Sequence, residues 1–477
     1  MSLDKYEVVI GLEVHAQLST KSKIFSWSSA AFGADPNTAT DPVCLGLPGT
    51  LPVLNQAAVE SAVRLGLAAK CKIRARCRFS RKHYFYPDLP KGFQISQFDE
   101  PICEGGAITF RLRGERRSVR LVRIHLEEDA GKNLHAPAEV SFVDYNRAGV
   151  PLCEIVSEPD IRSAEEAAEY VRAVRALVRY LGICDGNMEE GSLRCDANVS
   201  LRLHGAAAYG TKTELKNMNS FKNVRDAIEH EVKRQAALLD RGERIIQETR
   251  LWDAARGVSA AMRSKEQAHD YRYFPEPDLP PLEVTPAMVQ AARADLPELP
   301  ADRQRRYEAE LGLNAETARL LAFREGLGPW FERGLATGAA EAQPLATWIT
   351  QDLAAALGGA DPAASKVEPE ALAALVGMVN RKEVTASAGK AVLEKLAAEG
   401  GDPKAIVEAE GLGAMGDGDE LEGLVQAAID ANPDAAEKIR AGKQQAVGAI
   451  IGHVMRETKG RADGGEVSRI VREKLGV

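Results

Sequence analysis

The chain has 477 residues, enough for about two to four domains that each bury a core. Its net charge of -8 excludes bulk electrostatics as a way of holding nucleic acid, so any RNA contact has to come from local basic patches. No stretch approaches the roughly 20 apolar residues of a membrane span, and the opening Met1-Ser2-Leu3-Asp4-Lys5 lacks the apolar run of a secretory leader; together these predict a cytoplasmic protein with no membrane attachment.

Elements follow in chain order. Between Tyr6 and His15, period-2 alternation puts Val8, Ile10, Leu12 and Val14 on one face of a strand and Gly11, Glu13 and His15 on the other, so Glu13 and His15 converge. The segment Arg81 to Lys91 mixes cations with Tyr84, Phe85 and Tyr86. Rings that stack on unpaired bases beside cations that hold phosphates suit a single-strand RNA or nucleotide contact, while an aromatic corner packed in the core, with lysines at its rim, suits the same residues equally. Arg123 to Asp129 and Pro151 to Val156 each carry acids inside or at the end of an apolar run. An unpaired carboxylate there would be costly, and oxygen ligands with one imidazole suit Mg²⁺ or Mn²⁺ better than a soft metal.

A helix opens at Ser163, with Glu166 completing a capping box and Val171, Val174, Val178 and Leu181 forming its apolar stripe. Arg172, Arg175 and Arg179 mark another face, read as solvated or subunit-facing. Ser192 to Val199 alternates again and sets Asp196 beside Arg194 on a polar face. Thr213 to Phe221 is a polar lead into a helix carrying Val224, Ile228 and Val232. Its N-terminus suits either an anion or ordinary capping by Asn or Ser.

Beyond about Pro286 the chain turns Ala-, Leu- and Glu-rich and helical, with Leu296 to Pro300 as a hinge and a further break near Gly400 to Pro403. The stretch Lys443 to Arg456 places Val447, Ile450, Ile451 and Val454 at helical spacing. Arg456, Lys459 and Arg461 cluster after it, a candidate RNA-backbone contact or a helix end favoured by the dipole. No Gly-x-x-x-x-Gly-Lys-Ser/Thr loop and no serine-amidase motif are present, so the chain is not expected to hydrolyse amides by itself. Seven cysteines without a Cys-x-x-Cys pair fit reduced thiols. Cys44, Cys71 and Cys77 are the residues from which a zinc site would have to be drawn.

The motifs VVIGLEVHAQL (Val8 to Leu18), LGLPGTLPVLN (Leu45 to Asn55), RKHYFYPDLPKGFQISQ (Arg81 to Gln97), HLEEDAGK (His125 to Lys132), LCEIVSEPDIRS (Leu152 to Ser163), EEGSLRCDANVSL (Glu189 to Leu201), ELKNMNSF (Glu214 to Phe221) and DYRYFPEPDL (Asp270 to Leu279) occur in this order. Together with the terminal run GKQQAVGAIIGHVMRETKGRADGGEVSRIVREKL, they resemble the B subunits of bacterial aspartyl/glutamyl-tRNA(Asn/Gln) amidotransferases, the GatB family. The resemblance implies an α+β protein: an antiparallel-sheet cradle over residues 1–295, a helical domain over 296–405, and a small YqeY-like, tRNA-binding helical tail over 406–477.

It further implies an enzyme active within a heterotrimer, partnered by a glutaminase (the A subunit) and by a small C subunit. Such an enzyme uses ATP and Mg²⁺ (or Mn²⁺) to phosphorylate the side-chain carboxylate of misacylated Glu-tRNA(Gln) or Asp-tRNA(Asn). Ammonia from the glutaminase then displaces the phosphate to give Gln-tRNA(Gln) or Asn-tRNA(Asn). Carried over by motif, Glu13, His15, Glu128 and Glu154 resemble the metal-site residues, with Asp196 nearby as a further catalytic residue. Alternation forbids Glu127 and Glu128 from both facing the site if the strand continues, and the resemblance selects Glu128. Lys82, Tyr84 and Lys91 resemble the polar residues around the channel mouth and acceptor end, and Arg456, Lys459 and Arg461 are the tRNA contacts expected of the tail. Many relatives carry a Cys-x-x-Cys before Leu-Gly-Leu-Pro-Gly where this chain has Asp41 and Cys44, so a structural zinc is not expected. The alternative reading is a non-catalytic tRNA-binding scaffold, which gains nothing from convergent acids near phosphates.

Overall fold

The computed structural model describes residues 3–135, 140–264, 271–324, 326–415, 418–441, 443–458 and 460–476. The chain divides into two units, Met1–Leu299 and Pro300–Val477.

The first unit is built on a large sheet. Strands Tyr6–Gln17 (β1), Ser80–His83 (β2), Phe93–Ser96 (β3), Glu115–Glu128 (β4), Pro151–Ser157 (β5), Leu193–Leu203 (β6), Thr213–Lys216 (β7), Glu248–Asp253 (β8), Val258–Ser264 (β9) and Phe274–Pro275 (β10) lie in the order β9-β8-β7-β6-β1-β5-β4-β3-β2-β10. Neighbours along this path are antiparallel except β7 and β8, which run parallel. The fold is therefore α+β with a predominantly antiparallel sheet, followed by a helical second unit.

Alternation sets the two sides of the sheet. Ile10, Leu12, Val14 and Ala16 of β1 are buried, as are Leu193, Cys195, Ala197 and Val199 of β6 and Ile124 and Leu126 of β4. Helices Gln56–Ala68 (α1), Ala164–Tyr180 (α2) and Phe221–Asp240 (α3) pack on this side and share its core. Ser163 starts α2 by accepting from the Glu166 N–H at 3.1 Å, and the Glu166 carboxylate reaches back to the Arg162 N–H at 2.8 Å. Val171, Val174 and Val178 are fully buried beneath it, each worth about 1.5–3 kcal/mol against exposure. Ser220 caps α3 in the same way, accepting from the Asn223 N–H at 3.1 Å, so ordinary capping accounts for that helix start. The basic face of α2 is used within the unit: Arg172 lies over the Phe221 ring and Arg175 donates to the Gly186 carbonyl at 2.7 Å.

Register builds the other side. Residues directly opposite across antiparallel strands share a face, so His125 of β4, Glu154 of β5, His15 of β1 and Arg194 of β6 form one row. Arg123, Val156, Glu13 and Asp196 form the next, and Glu127, Leu152 and Gln17 flank the first row on its other side.

The second unit is helical among its described residues and holds two hydrophobic clusters. One runs from Tyr307 to Leu412 and includes Phe331, Ile349, Leu375 and Leu396; the other runs from Leu421 to Leu475 and includes Val425, Ile450, Val454 and Val471. In the helix Val447–Glu457 the periodic apolar residues divide by depth: Ile450 and Val454 are buried, and Val447 and Ile451 pack at the edge. No helix among the described residues is long and apolar enough to cross a membrane.

Candidate metal centre and reaction site

The row His125–Glu154–His15 brings charged groups into close contact on the polar side of the sheet. The His15 Nε2 lies 3.4 Å from Glu154 Oε2 and 3.6 Å from Glu127 Oε1. His125 Nε2 stands 3.4 Å from the same Glu154 oxygen and 3.6 Å from Glu127 Oε2. Among the described residues, one group of three or more His, Cys, Asp or Glu side chains has ligand atoms that all lie within 4.8 Å of one another: His15, Glu127 and Glu154.

The electrostatics follow from burial and mutual charge. Burial disfavours the charged form of His15, but the hydrogen bond and charge of Glu154, with Glu127 and Asp196 beyond, outweigh it and push the imidazole up to about 9. Glu154 is held well below the carboxylate range: burial opposes this, and His125, His15 and Lys82 overcome it. Glu127 is lowered too, against burial and the repulsion of Glu154, by His125 and His15. Two buried, ionised carboxylates and a partly buried imidazole form an oxygen-rich donor set that fits Mg²⁺ or Mn²⁺, provided the ion displaces the proton that His15 holds beside the carboxylates.

Glu128, expected among the metal-site residues, lies outside this group. The strand continues through Glu128, so alternation holds to its end; Glu127 shares the face of His125, and Glu128 shares that of Leu126. There the buried Glu128 carboxylate pairs with the Lys91 ammonium and accepts from the Ile95 N–H at 2.8 Å. Lys91 is thus an ion-pair partner on the opposite face, its ammonium 5.4 Å from the centre of the Phe93 ring. Gly46 of the Leu-Gly-Leu-Pro-Gly loop has φ +67, and a Cβ there would lie 2.6 Å from Lys91 Cγ, so the loop packs directly on this lysine.

Glu13 and Asp196 are Cα partners beside the cluster. Asn198 Nδ2 donates to Glu13 at 3.1 Å, and the Lys216 ammonium pairs with Asp196 and lies 3.6 Å from Glu214. Arg194 grips Asp129 with two bonds of 2.9 and 3.0 Å, and Gln17 adds a third at 2.8 Å. Lys82 projects from the short β2 strand. Despite burial, the charges of Glu127 and Glu154 raise its pKa. Its ammonium sits 4.9 Å from the Tyr271 ring centre and 5.9 Å from that of Tyr84. Tyr84, Tyr271, Tyr273 and Phe98 continue as a chain of ring contacts, ending in a parallel stack of Tyr273 on Phe98 at 4.1 Å. The other face of β2 is structural: Arg81 binds Glu276 through two 2.8 Å bonds, and His83 stacks on Phe274.

His125, Lys216 and the Asp129–Arg194 pair are not among the residues expected from the sequence, and Glu127 is the one set aside there in favour of Glu128. The signal for His125 and Glu127 was present, since their i, i+2 spacing repeats that of Glu13 and His15.

Asp41 closes its own loop by hydrogen bonds. Its carboxylate accepts from Ser28 Oγ at 2.6 Å, Ser28 N at 3.2 Å, Val43 N at 2.8 Å and Cys44 N at 2.9 Å, and the Asp41 N–H points at Cys44 Sγ at 3.2 Å. All seven cysteines are buried thiols, with Cys77 pushed by burial to about 11 and Cys71 to about 12. In the second unit Arg456 Nε donates to the Gly452 carbonyl at 3.2 Å and Arg461 Nε to that of Thr458 at 3.3 Å; Lys459 lies outside the described residues.

The model of the GatB/GatE catalytic domain matches residues 8–290, and that of the GatB domain matches residues 330–475. The chain is 52% identical to the B subunit of the aspartyl/glutamyl-tRNA(Asn/Gln) amidotransferase of Anaeromyxobacter sp. (strain K), over 100% of both chains. It belongs to the GatB family. The B subunits from Thermodesulfovibrio yellowstonii, 49% identical over 98% of each chain, and Solidesulfovibrio magneticus, 50% identical over 99% of this chain and 100% of its own, are similar to the same extent. The first match reaches from within β1 through β10, and the second takes in the helix that carries Arg456 and the turn after it that carries Arg461.

Proposed function

We propose that this chain carries the kinase and amidation site of a tRNA-dependent amidotransferase, working with a glutaminase as the A subunit and with a small C subunit. The substrate is the side-chain carboxylate of glutamate or aspartate esterified to tRNA(Gln) or tRNA(Asn). One of its oxygens attacks the γ-phosphorus of ATP and ADP leaves. Ammonia then attacks the acyl carbon, the phosphate departs with the bonding pair, and the nitrogen loses a proton to leave the amide. Phosphorylation is required because a carboxylate oxygen is too poor a leaving group to be displaced directly.

The observation that carries this reading is the group formed by the partly buried His15 and the buried Glu127 and Glu154, whose ligand atoms lie within 4.8 Å of one another. These residues would hold Mg²⁺ or Mn²⁺, which when bound neutralises and aligns phosphate oxygens for transfer. Lys82, kept charged beside the two carboxylates, supplies a fixed cation for the anionic reactants. Arg194, locked by Asp129, supplies a second next to His15. Tyr84 and Tyr271 offer ring faces beside Lys82 for an unpaired base of the acceptor end. Arg456 and Arg461 would contact the body of the tRNA.

The test is amidation by the purified heterotrimer with each misacylated tRNA, with and without ATP, and with ammonium salt replacing glutamine. Product that forms without ATP would overturn the kinase step. A scaffold role alone would leave amidation intact when Glu154 is changed to Gln.

A further inference from the structure

We infer that His125 is a positioning residue for the metal centre, donating to its two carboxylates without itself being a ligand. The inference rests on the metal-centre reading of His15, Glu127 and Glu154.

His125 is buried to 1% and sits in register with Glu154 and His15, yet the group with mutually close ligand atoms does not take it in. Its tautomer is set from outside. Arg123 Nε donates to His125 Nδ1 at 3.3 Å, so Nδ1 is an acceptor and the ring proton lies on Nε2. That nitrogen faces Glu154 Oε2 at 3.4 Å and Glu127 Oε2 at 3.6 Å. A protonated Nε2 donates to carboxylates, and the Arg123 N–H on Nδ1 keeps that proton in place.

The arrangement divides the two oxygens of Glu127 between separate tasks. Oε2 accepts from Ser96 Oγ at 3.1 Å and faces His125, whereas Oε1 faces His15 at 3.6 Å. With one oxygen held by donors, the carboxylate plane is fixed and Oε1 is left on the His15 side. Metal-binding carboxylates are commonly oriented by such outer donors, whose loss weakens binding by about 10- to 100-fold. Arg123, one row further along the same face, completes the relay Arg123–His125–carboxylate.

The test is Mn²⁺ titration of the full-length chain followed by electron paramagnetic resonance, with thermal unfolding and far-ultraviolet circular dichroism as folding checks. Wild type is compared with His125→Leu, which removes the donor, and His125→Gln, whose amide N–H reaches the position of Nε2. The expected result is an Mn²⁺ Kd raised about 10- to 100-fold in His125→Leu and restored to within about 3-fold of wild type in His125→Gln. Wild-type affinity in folded His125→Leu overturns the assignment. So does equal weakness in the Gln and Leu variants, because the imidazole itself would then be required. Should His125→Leu not fold, Arg123→Met, at a partly exposed position, decides: loosened Mn²⁺ binding supports the relay and unchanged binding overturns it. A wild-type chain that binds no Mn²⁺ overturns the metal-centre reading itself, and this inference with it.

Discussion

His15 and Glu154 meet across adjacent antiparallel strands, Nε2 to Oε2 at 3.4 Å, because register makes them Cα partners and alternation turns both toward the polar side of the sheet. Each charge sustains the other in a buried setting, and both groups are offered to the same small volume.

The two neighbouring glutamates should separate by function. Glu127→Gln is expected to lose Mn²⁺ affinity and ATP-dependent phosphorylation together. Glu128→Gln is expected to keep Mn²⁺ affinity but lose about 3 kcal/mol of stability, since it leaves the largely buried Lys91 without its counter-charge. Mn²⁺ titration and urea unfolding of both variants check this, and reversed phenotypes would restore Glu128 to the metal centre.

Gly46→Ala should damage the same Lys91–Glu128 pair from the loop side. The added Cβ would collide with Lys91 Cγ, and φ is +67, so a loss of about 1–3 kcal/mol is expected. Urea unfolding measures it; a neutral Gly46→Ala would show that the loop shifts freely.

Asp41 gives a pH signature. Its hydrogen bonds, chiefly those of Ser28 and Cys44, overcome the penalty of burial and hold the carboxyl at about 2, below its ordinary 3.8. A group with a depressed folded pKa contributes stability above its unfolded value and loses that contribution as pH falls through the folded one. The stability difference between wild type and Asp41→Asn should therefore be full above pH 4 and shrink as pH falls from about 4 to 2. Urea unfolding at pH 5 and pH 3 reads the change. A difference that stays constant would show that the charge of Asp41 does not matter to the loop.

In the helical tail, Arg456→Gln with Arg461→Gln should weaken tRNA binding evenly across tRNA species and lower the slope of log affinity against log salt by about 1–2. Filter binding at several salt concentrations measures this. Unchanged binding and slope would reduce the two arginines to their helix-end hydrogen bonds with Gly452 and Thr458.

Alternation alone was enough to place Glu13 with His15, and Asp196 with Arg194, because a period of two assigns faces without knowledge of any partner strand. The choice between Glu127 and Glu128 needed more. It depends on which face of β4 is apolar, and Leu126 and Ile124 on the side of Glu128 answer it only once the strand is known to continue to its last residue. Lys216 was out of reach, since its pairing with Asp196 follows from β6 lying next to β7, a neighbour relation that no local pattern encodes. The helices were legible for the opposite reason: Ser163 and Ser220 cap their own segments, and the stripe through Val171, Val174 and Val178 is local in sequence.

The central claim is that the His15–Glu127–Glu154 group performs phosphoryl transfer to the aminoacyl-tRNA. The most direct measurement is release of γ-phosphate from ATP by the purified complex, dependent on Glu-tRNA(Gln) or Asp-tRNA(Asn), comparing wild type with Glu154→Gln at ordinary Mg²⁺ while glutaminase activity is followed in parallel. The expected result is tRNA-dependent phosphate release in wild type and only background release in Glu154→Gln, with glutamine hydrolysis preserved. Full tRNA-dependent phosphate release by Glu154→Gln would contradict the account.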